Sequence, residues 1–400
     1  MPISPLRISA YTTVNALGRG VAASLTALRR REGGLRPCDF GDTALPTWIG
    51  RVEGLEHEPV TGELAMFDCR NNRLARLALG QDGFAQAVAA ARERHGAERI
   101  GVFVGTSTSG ILETELAYRQ LDPMTGRLPE SLGFRYTRNI FSVADFTCRY
   151  LKLRGPAVAV STACSSSAKA FASAYRYIRA GLCDAAVVGG VDSLCFTTLY
   201  GFRSLELASP EPCRPWDAER SGLSLGESAG FALLESAVSD GGNEAPMLLG
   251  YGESSDAYHM SAAHPEGEGA ALAMERALAA AGLRPEQVDY VNLHGTATAS
   301  NDASEDRAIV RVLGRRVPCS STKGWTGHTL GAAGITEAVF CCLCLEHGLM
   351  PQSLNTQRVD PQLSAHILLE TRLQPVNRVM SNSFGFGGTN CSLLFGRRSA

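Results

Sequence analysis

Apolar and polar positions alternate along this chain in blocks that predict strands and helices by turns. Residues 6–13 read as a strand, and residues 20–31 as a helix after the turn Asn15-Ala16-Leu17-Gly18. Residues 72–94 carry helical periodicity, with Gly80 as a break. Residues 99–104 form an apolar run that stops at Gly105-Thr106-Ser107-Thr108. A helix over 140–152 leads to a second short run, 157–160. From Cys164 the period changes: Ala168, Phe171, Ala172, Tyr175 and Ile178 recur at three and four residue spacing, as on one helix face. Gly181 stops that helix, and residues 185–188 supply another strand. Further strands are expected at 231–235, 247–251, 288–293, 317–320, 378–383 and 391–395, and helices at 270–281 and 335–346. Residues 33–64, rich in Gly, Pro and Glu, are expected to form a surface excursion. Such alternation of strand and helix predicts a layered α/β fold.

The most linker-like stretch is Ser239-Asp240-Gly241-Gly242-Asn243-Glu244, which divides the chain into residues 1–243 and 244–400. A short echo supports two related halves. A strand followed by Gly105-Thr106-Ser107-Thr108 in the first returns as a strand followed by Gly295-Thr296-Ala297-Thr298 in the second.

Composition narrows the function classes. The 400 residues are 44% hydrophobic with a net charge of −2, enough for a large core and without the basic excess of a nucleic-acid binder. Twelve cysteines are too dilute for a disulfide scaffold and lack zinc-ligand spacing, so reduced thiols and no metal are expected. The N-terminus lacks a basic segment followed by an apolar one, and no membrane span is expected, which suits a cytoplasmic location.

Candidate chemistry gathers where strands end. Cys164 falls at a strand-to-helix corner, where unpaired N–H groups and the helix dipole favour a thiolate; a small residue at a tight corner is the bland alternative. His294 stands beside Gly295 at another strand end, followed by Thr296 and Thr298 and, at helix-start spacing, by Asn301, Asp302 and Glu305. Lys323 and His328 lie among glycines before a helix. The loop Phe384 to Asn390 offers glycine-flanked N–H groups, at Gly385, Phe386 and Gly387, that suit an oxyanion. A nucleophile, two imidazoles, an ammonium and an N–H-rich loop together suit carbonyl chemistry.

Taken as motifs, these stretches resemble the elongating β-ketoacyl-acyl-carrier-protein synthases. TACSSS is similar to that family's nucleophile motif, HGTAT with NDASE to its first histidine motif, and KGWTGHTLGAAG to its lysine and second histidine motif. NSFGFGGTN resembles its gating loop and SSDAYHM the loop that moves with it; CRPWDAERSG and GESAG are also family-like. TACSSSAKAFASA and GGVDSLCFTTLYGF look closer to the aryl polyene and pigment-pathway members.

The resemblance implies a thiolase-like duplicated fold, layered α-β-α-β-α, with two pseudo-symmetric halves. It implies that Cys164 takes an acyl group as a thioester and that His294 and His328 stabilise the enolate left by malonyl decarboxylation. Lys323 would balance charge near both histidines and Glu305. The N–H groups of Cys164 and Phe386 would form the oxyanion hole, with Phe386 as gate and Thr296 and Thr298 on the pantetheine arm. No resident cofactor is implied, because the phosphopantetheine arm arrives on the acyl carrier protein, as malonyl- and acyl-carrier substrates. A homodimer is implied, or a heterodimer with a ketosynthase-like subunit. An acidic carrier protein predicts a basic docking patch, for which Arg70, Arg73, Arg76 and Arg214 are the candidates. Three departures stand out: Ala299 where the family has proline, Ser261-Ala262-Ala263 where it has Thr-Ala-Pro, and Ser228 where glycine is common. The rivals are a thiolase, which would need a second catalytic cysteine near Cys391; a non-catalytic chain length factor, which would lack the nucleophile; and a cysteine hydrolase, which leaves the second histidine and the lysine unexplained.

Overall fold

The computed structural model describes residues 2–42, 44–130, 132–236 and 245–397. The division expected at residues 243 and 244 lies outside the described residues. The apolar runs come together in one twelve-stranded mixed sheet system. In the first half, β1 (Leu6–Asn15), β2 (Ile100–Gly105), β3 (Ala157–Val160), β4 (Ala185–Asp192) and β5 (Ser228–Ser236) lie side by side as β3-β2-β4-β5-β1. In the second, β6 (Met247–Ser255), β7 (Tyr290–Asn292), β8 (Pro318–Ser320), β9 (Arg378–Gly385) and β10 (Thr389–Gly396) lie as β8-β7-β9-β10-β6. The two orders are the same, and so are the directions. β3, β2 and β4 are parallel, as are β8, β7 and β9, while the last two strands of each half pair antiparallel. The fold is duplicated. The halves join through β1 and β6, at Leu6 with Leu248 and Arg7 with Met247.

The repeated Gly-Thr-x-Thr segments follow β2 and β7, the second strand of each half. Cys164 follows β3, and Lys323 and His328 follow β8, the third strand of each half. The duplication thus delivers both sets of reactive side chains to the same end of the strands.

Three apolar clusters define the layers. Helices α1 (Arg70–Leu79) and α2 (Ser142–Leu151) cover the outer face of the first half, packing Leu74 and Phe146 on Val102 and Val187. Helices α5 (Glu268–Ala281) and α6 (Ala299–Leu313) cover the outer face of the second, packing Met274 and Ile309 on Val291 and Leu394. Between the sheets lie α3 (Ser166–Arg179) and α7 (Ala333–His347), where Phe171 and Ile335 meet Val188 from one side and Val379 from the other. This is the helix–sheet–helix–sheet–helix stack. Helix α7 is not amphipathic: it is buried continuously from Ala333 to Leu345, as a helix clad on every side must be. The stretch Leu330–His347 has the length and apolarity to cross a membrane, and 89% of it is buried inside the protein. Its Cys341, Cys342 and Cys344 are free thiols, as are the other nine cysteines.

Residues 33–64 depart from the expected surface excursion. Trp48–Gly50 pairs in parallel with Leu225–Gly226, and Ile49, Val52, Leu55 and Val60 are buried. Four apolar residues spaced along an otherwise polar stretch are enough to dock it.

Candidate active site

The first half supplies a strained corner. After β3 the chain turns through Ala163 at φ 51°, a left-handed conformation unusual for a residue with a Cβ, before α3 begins at Ser166. The hydroxyls of TACSSS hold that turn. Ser165 Oγ donates to the Thr162 carbonyl at 2.9 Å, and Ser166 Oγ accepts from the Thr162 amide at 2.9 Å. Ser167 Oγ accepts from the Ile335 amide at 3.0 Å and ties α3 to α7. Cys164 is lifted to the strand end and buried, 5% exposed.

The second half supplies the histidines. The Glu305 carboxylate, in the second turn of α6, accepts from the His294 and Gly295 amides at 2.8 Å each and from Asn382 Nδ2 at 3.2 Å. It fixes the strand end from which His294 projects. The His328 backbone is held by residues just before β5: its amide donates to the Ser224 carbonyl at 2.7 Å, and its carbonyl accepts from the Gly226 amide at 2.9 Å. A Cβ on Gly226 would lie 2.2 Å from the Thr326 carbonyl oxygen, so the close approach requires glycine.

These elements bring three reactive groups together. His328 Nε2 lies 3.0 Å from Cys164 Sγ, the His294 and His328 rings meet edge to face at 5.3 Å, and one ligand atom from each of the three lies within 4.8 Å of the others. A cavity opens beside them, lined also by Thr296, Thr298, Phe202 and Phe386. Thr296 and Thr298 share a hydroxyl hydrogen bond of 2.9 Å at its wall.

Burial dominates the electrostatics. It pushes the Cys164 thiol up to about 11; the Lys323 charge and a hydrogen bond from the Phe386 amide act in the opposite direction, and Asp192 adds to the rise. The thiolate expected from the helix start is therefore not the resting form: desolvation outweighs the backbone N–H groups. Burial, then the Lys323 ammonium, hold both histidines well below the usual imidazole range, so both rings are neutral and can donate from one nitrogen.

Lys323 acts on both histidines, as expected, and has a carboxylate partner of its own. Its Nζ meets Glu337 Oε1 at 2.5 Å, both side chains being buried, while Glu305 is engaged with the His294 strand end. Burial lifts Glu337 to about 7 against the pull of Lys323, and lifts Glu305 to about 7 as well. Glu337 escaped the sequence reading, although one carboxylate inside the apolar run of α7 is the signal that marks it.

The loop expected to gate the site sits over the nucleophile. A Cβ on Gly385 would lie 2.9 Å from the Thr162 carbonyl oxygen, the Phe386 ring lies 5.5 Å from Phe202, and Thr389 Oγ1 donates to the Thr162 carbonyl at 3.0 Å. Gly387, at φ 78°, donates its amide to the Met260 carbonyl at 2.8 Å, and Asn390 Nδ2 donates to Asp256 Oδ1 at 2.7 Å. NSFGFGGTN and SSDAYHM are thus bonded to each other. The three departures are accommodated. Ala299 is the first residue of α6, a position open to proline and alanine alike; Ser228 Oγ donates to the Val14 carbonyl at 3.0 Å; and Ser261, Ala262 and Ala263 line the cavity.

One docking candidate is corrected. Arg70 is 7% exposed and forms a two-pronged pair with Glu227, at 2.8 and 2.6 Å, plus a contact to Glu56 at 2.6 Å. A guanidinium spent on a buried carboxylate offers nothing to a carrier protein. Arg73 pairs with Asp68 at 2.6 Å, Arg76 with Glu58 at 2.8 Å, and Arg214 with Glu211, all while partly exposed.

Comparison with known proteins agrees with this arrangement. The "Beta-ketoacyl synthase, N-terminal domain" matches residues 72–239 and the "Beta-ketoacyl synthase, C-terminal domain" residues 246–357. The chain is 34% identical to the 3-oxoacyl-[acyl-carrier-protein] synthase 2 of Vibrio cholerae, over 96% of this chain and 97% of that one. It is 39% identical to the mitochondrial 3-oxoacyl-[acyl-carrier-protein] synthase of Arabidopsis thaliana, over 74% of this chain and 68% of that one. Among solved structures it is similar to a ketosynthase (ApeO) in complex with its chain length factor (ApeC) from Xenorhabdus doucetiae, with 40% identity, a TM-score of 0.87 and 98% of each chain covered. With its duplicated thiolase-like fold, this chain belongs to the β-ketoacyl synthase family, as a condensing enzyme of fatty acid or polyketide synthesis.

Proposed function

We propose that Cys164 is the acyl acceptor of a decarboxylative condensation, with His294 and His328 as its two neutral donors. The observation that carries the reading is the convergence of both imidazoles on one buried thiol, with His328 Nε2 at 3.0 Å. In the first step the Cys164 sulfur attacks the acyl thioester of a carrier protein, the pantetheine thiol leaves, and an acyl-Cys164 thioester remains. His328 accepts the thiol proton, since the resting thiol is neutral, and passes it to the departing pantetheine sulfur, so that the ring is neutral again before the second step. In the second step malonyl-carrier protein loses carbon dioxide, and N–H donation from His294 and His328 stabilises the enolate oxygen. The enolate carbon then attacks the Cys164 thioester. The tetrahedral oxyanion faces the Cys164 and Phe386 amides, and its collapse breaks the C–S bond, releasing β-ketoacyl-carrier protein and the Cys164 thiolate, which takes a proton from solvent to restore the resting thiol. Thr296 and Thr298 bind the pantetheine amides, and Lys323 with Glu337 keeps both rings neutral. No dissociable cofactor takes part.

The acyl donor is read as a carrier-bound chain of the aryl polyene or pigment type, on the resemblance of TACSSSAKAFASA and GGVDSLCFTTLYGF. Docking of the acidic carrier falls to Arg73, Arg76 and Arg214 and to Arg203, exposed beside cavity-lining Phe202 on α4 (Phe196–Ser204). A ketosynthase-like partner suits β3, the half-buried edge strand of the sheet, and Tyr118, Leu121, Met124, Phe134 and Phe141 add exposed apolar side chains in the same half of the chain. The likeness to a ketosynthase solved with its chain length factor supports a heterodimer, and a cytoplasmic enzyme is part of the same reading.

The rivals fit less well. A chain length factor has no use for this thiol–imidazole cluster. A thiolase needs a second cysteine at the site, and Cys391 is packed in the central apolar cluster. Condensation assayed with acyl- and malonyl-carrier proteins, with Cys164→Ala as control, tests the proposal: the variant is expected to lose acylation and keep malonyl decarboxylation. Retained acylation in the variant would refute it.

A further inference from the structure

The carboxylate of Asp192 takes no proton and touches no reacting atom in the steps above, yet it carries an unusual load. It ends β4 and is fully buried. Its Oδ1 accepts from Thr106 Oγ1 at 2.7 Å, the Ser107 amide at 2.8 Å, the Thr108 amide at 2.9 Å and Thr108 Oγ1 at 2.8 Å. Its Oδ2 accepts from Ser107 Oγ and from the Gly331 amide, both at 2.6 Å. The first five donors belong to the loop after β2, in the same half. The sixth belongs to the other half, three residues beyond His328.

We propose that Asp192 is a positioning residue that clamps the His328 loop onto the half carrying Cys164, and so sets the distance between imidazole and thiol. Three observations converge on that role. The Gly331 backbone is pressed onto the carboxylate, since a Cβ there would lie 2.7 Å from Oδ2 and 2.9 Å from the Ser107 amide. Leu330, just before it, holds a left-handed φ of 54°, which turns the Gly331 N–H inward. And Asp192 joins the halves at the strand ends, beside the reactive groups, whereas the β1–β6 pairing joins them at residues 6–7 and 247–248. A carboxylate suits the task because it only accepts, and every group facing it donates; charge-assisted bonds of this kind are short and strong.

The inference rests on the reading of Cys164 as acyl acceptor and His328 as its partner. Two variants test it. Asp192→Asn keeps the shape but turns an NH2 group toward donors. Gly331→Ala keeps the carboxylate and pushes the His328 loop off it. The kcat and KM for condensation are measured for both, with the folded fraction followed by thermal unfolding. Clamping predicts a kcat lower by about 10²-fold in each folded variant, as displacement of a reacting group by about 1 Å produces, with KM for the malonyl donor unchanged. A wild-type kcat in either folded variant, or a loss that merely tracks the unfolded fraction, would overturn the proposal. If Asp192→Asn does not fold, Gly331→Ala decides alone. Acylation of wild-type Cys164 is followed in the same series, so failure of the underlying reading would show there and not in the variants.

Discussion

His328 Nε2 lies 3.0 Å from Cys164 Sγ although 164 positions separate them in the chain. Each follows the third strand of its own half, so the contact is made by two equivalent loops of a duplicated fold. Duplication explains how a chain can assemble a nucleophile and its proton acceptor without placing them near each other in sequence. The two halves are not chemically equivalent: the first contributes sulfur, the second contributes imidazole and ammonium.

The thiol's environment gives a pH prediction. Cys164 is raised from its ordinary value of 9.0 to about 11. Its alkylation by iodoacetamide should keep accelerating above pH 9 and level off near pH 11. The sign for stability follows. Between about 9 and 11 the unfolded thiol ionises and the folded one does not, so this group's contribution to stability falls as pH rises through that window. Alkylation that levels off near pH 7 would mean a resting thiolate.

Lys323 acts on three groups in known directions. Its charge lowers the thiol and both imidazoles. Lys323→Met should therefore slow Cys164 alkylation at pH 8 and move both histidines up toward about 6.5, the unperturbed imidazole value, as read from their ring proton resonances. It should also destabilise the fold by about 3–5 kcal/mol, because Glu337 loses its buried partner. Unmoved histidine titrations would show that the ammonium does not control them.

Gly226 holds the His328 backbone by contact. A methyl group at this position would sit 2.2 Å from the Thr326 carbonyl oxygen. Gly226→Ala should cost about 1–3 kcal/mol by chemical denaturation and reduce condensation by displacing His328. An unchanged midpoint and full activity would remove this residue from the account.

Arg70 separates a structural cation from a docking one. Arg70→Ala leaves Glu227 buried and unpaired and should lower stability by about 3–5 kcal/mol. Carrier-protein affinity of the folded variant should stay at the wild-type value. A selective loss of affinity with normal stability would restore Arg70 to the docking surface.

Strand and helix positions were readable wherever the hydrophobic period was clean. The runs at 157–160 and 185–188 predict strands, and β3 and the first part of β4 are those residues. The Gly-Thr-x-Thr echo predicts related halves, and its copies follow equivalent strands. What stayed hidden depends on long-range contacts. Arg70 shares a helix face with Arg73 and Arg76, and only the fold shows that its partner Glu227 lies 157 positions away. The helix-start position of Cys164 suggests a thiolate, and only its burial reverses that. The role of Asp192 needs three loops to meet, which no local pattern encodes. The pairing of Lys323 with Glu337 brings the segment after β8 onto α7, a contact between buried side chains that no local pattern announces.

The most direct test of the central claim is the intact mass of the purified protein after incubation with a panel of acyl-carrier proteins, beside Cys164→Ala. The account predicts a gain equal to the transferred acyl group in the wild type and none in the variant. An equal gain in both, or acylation mapped to another residue, would contradict it.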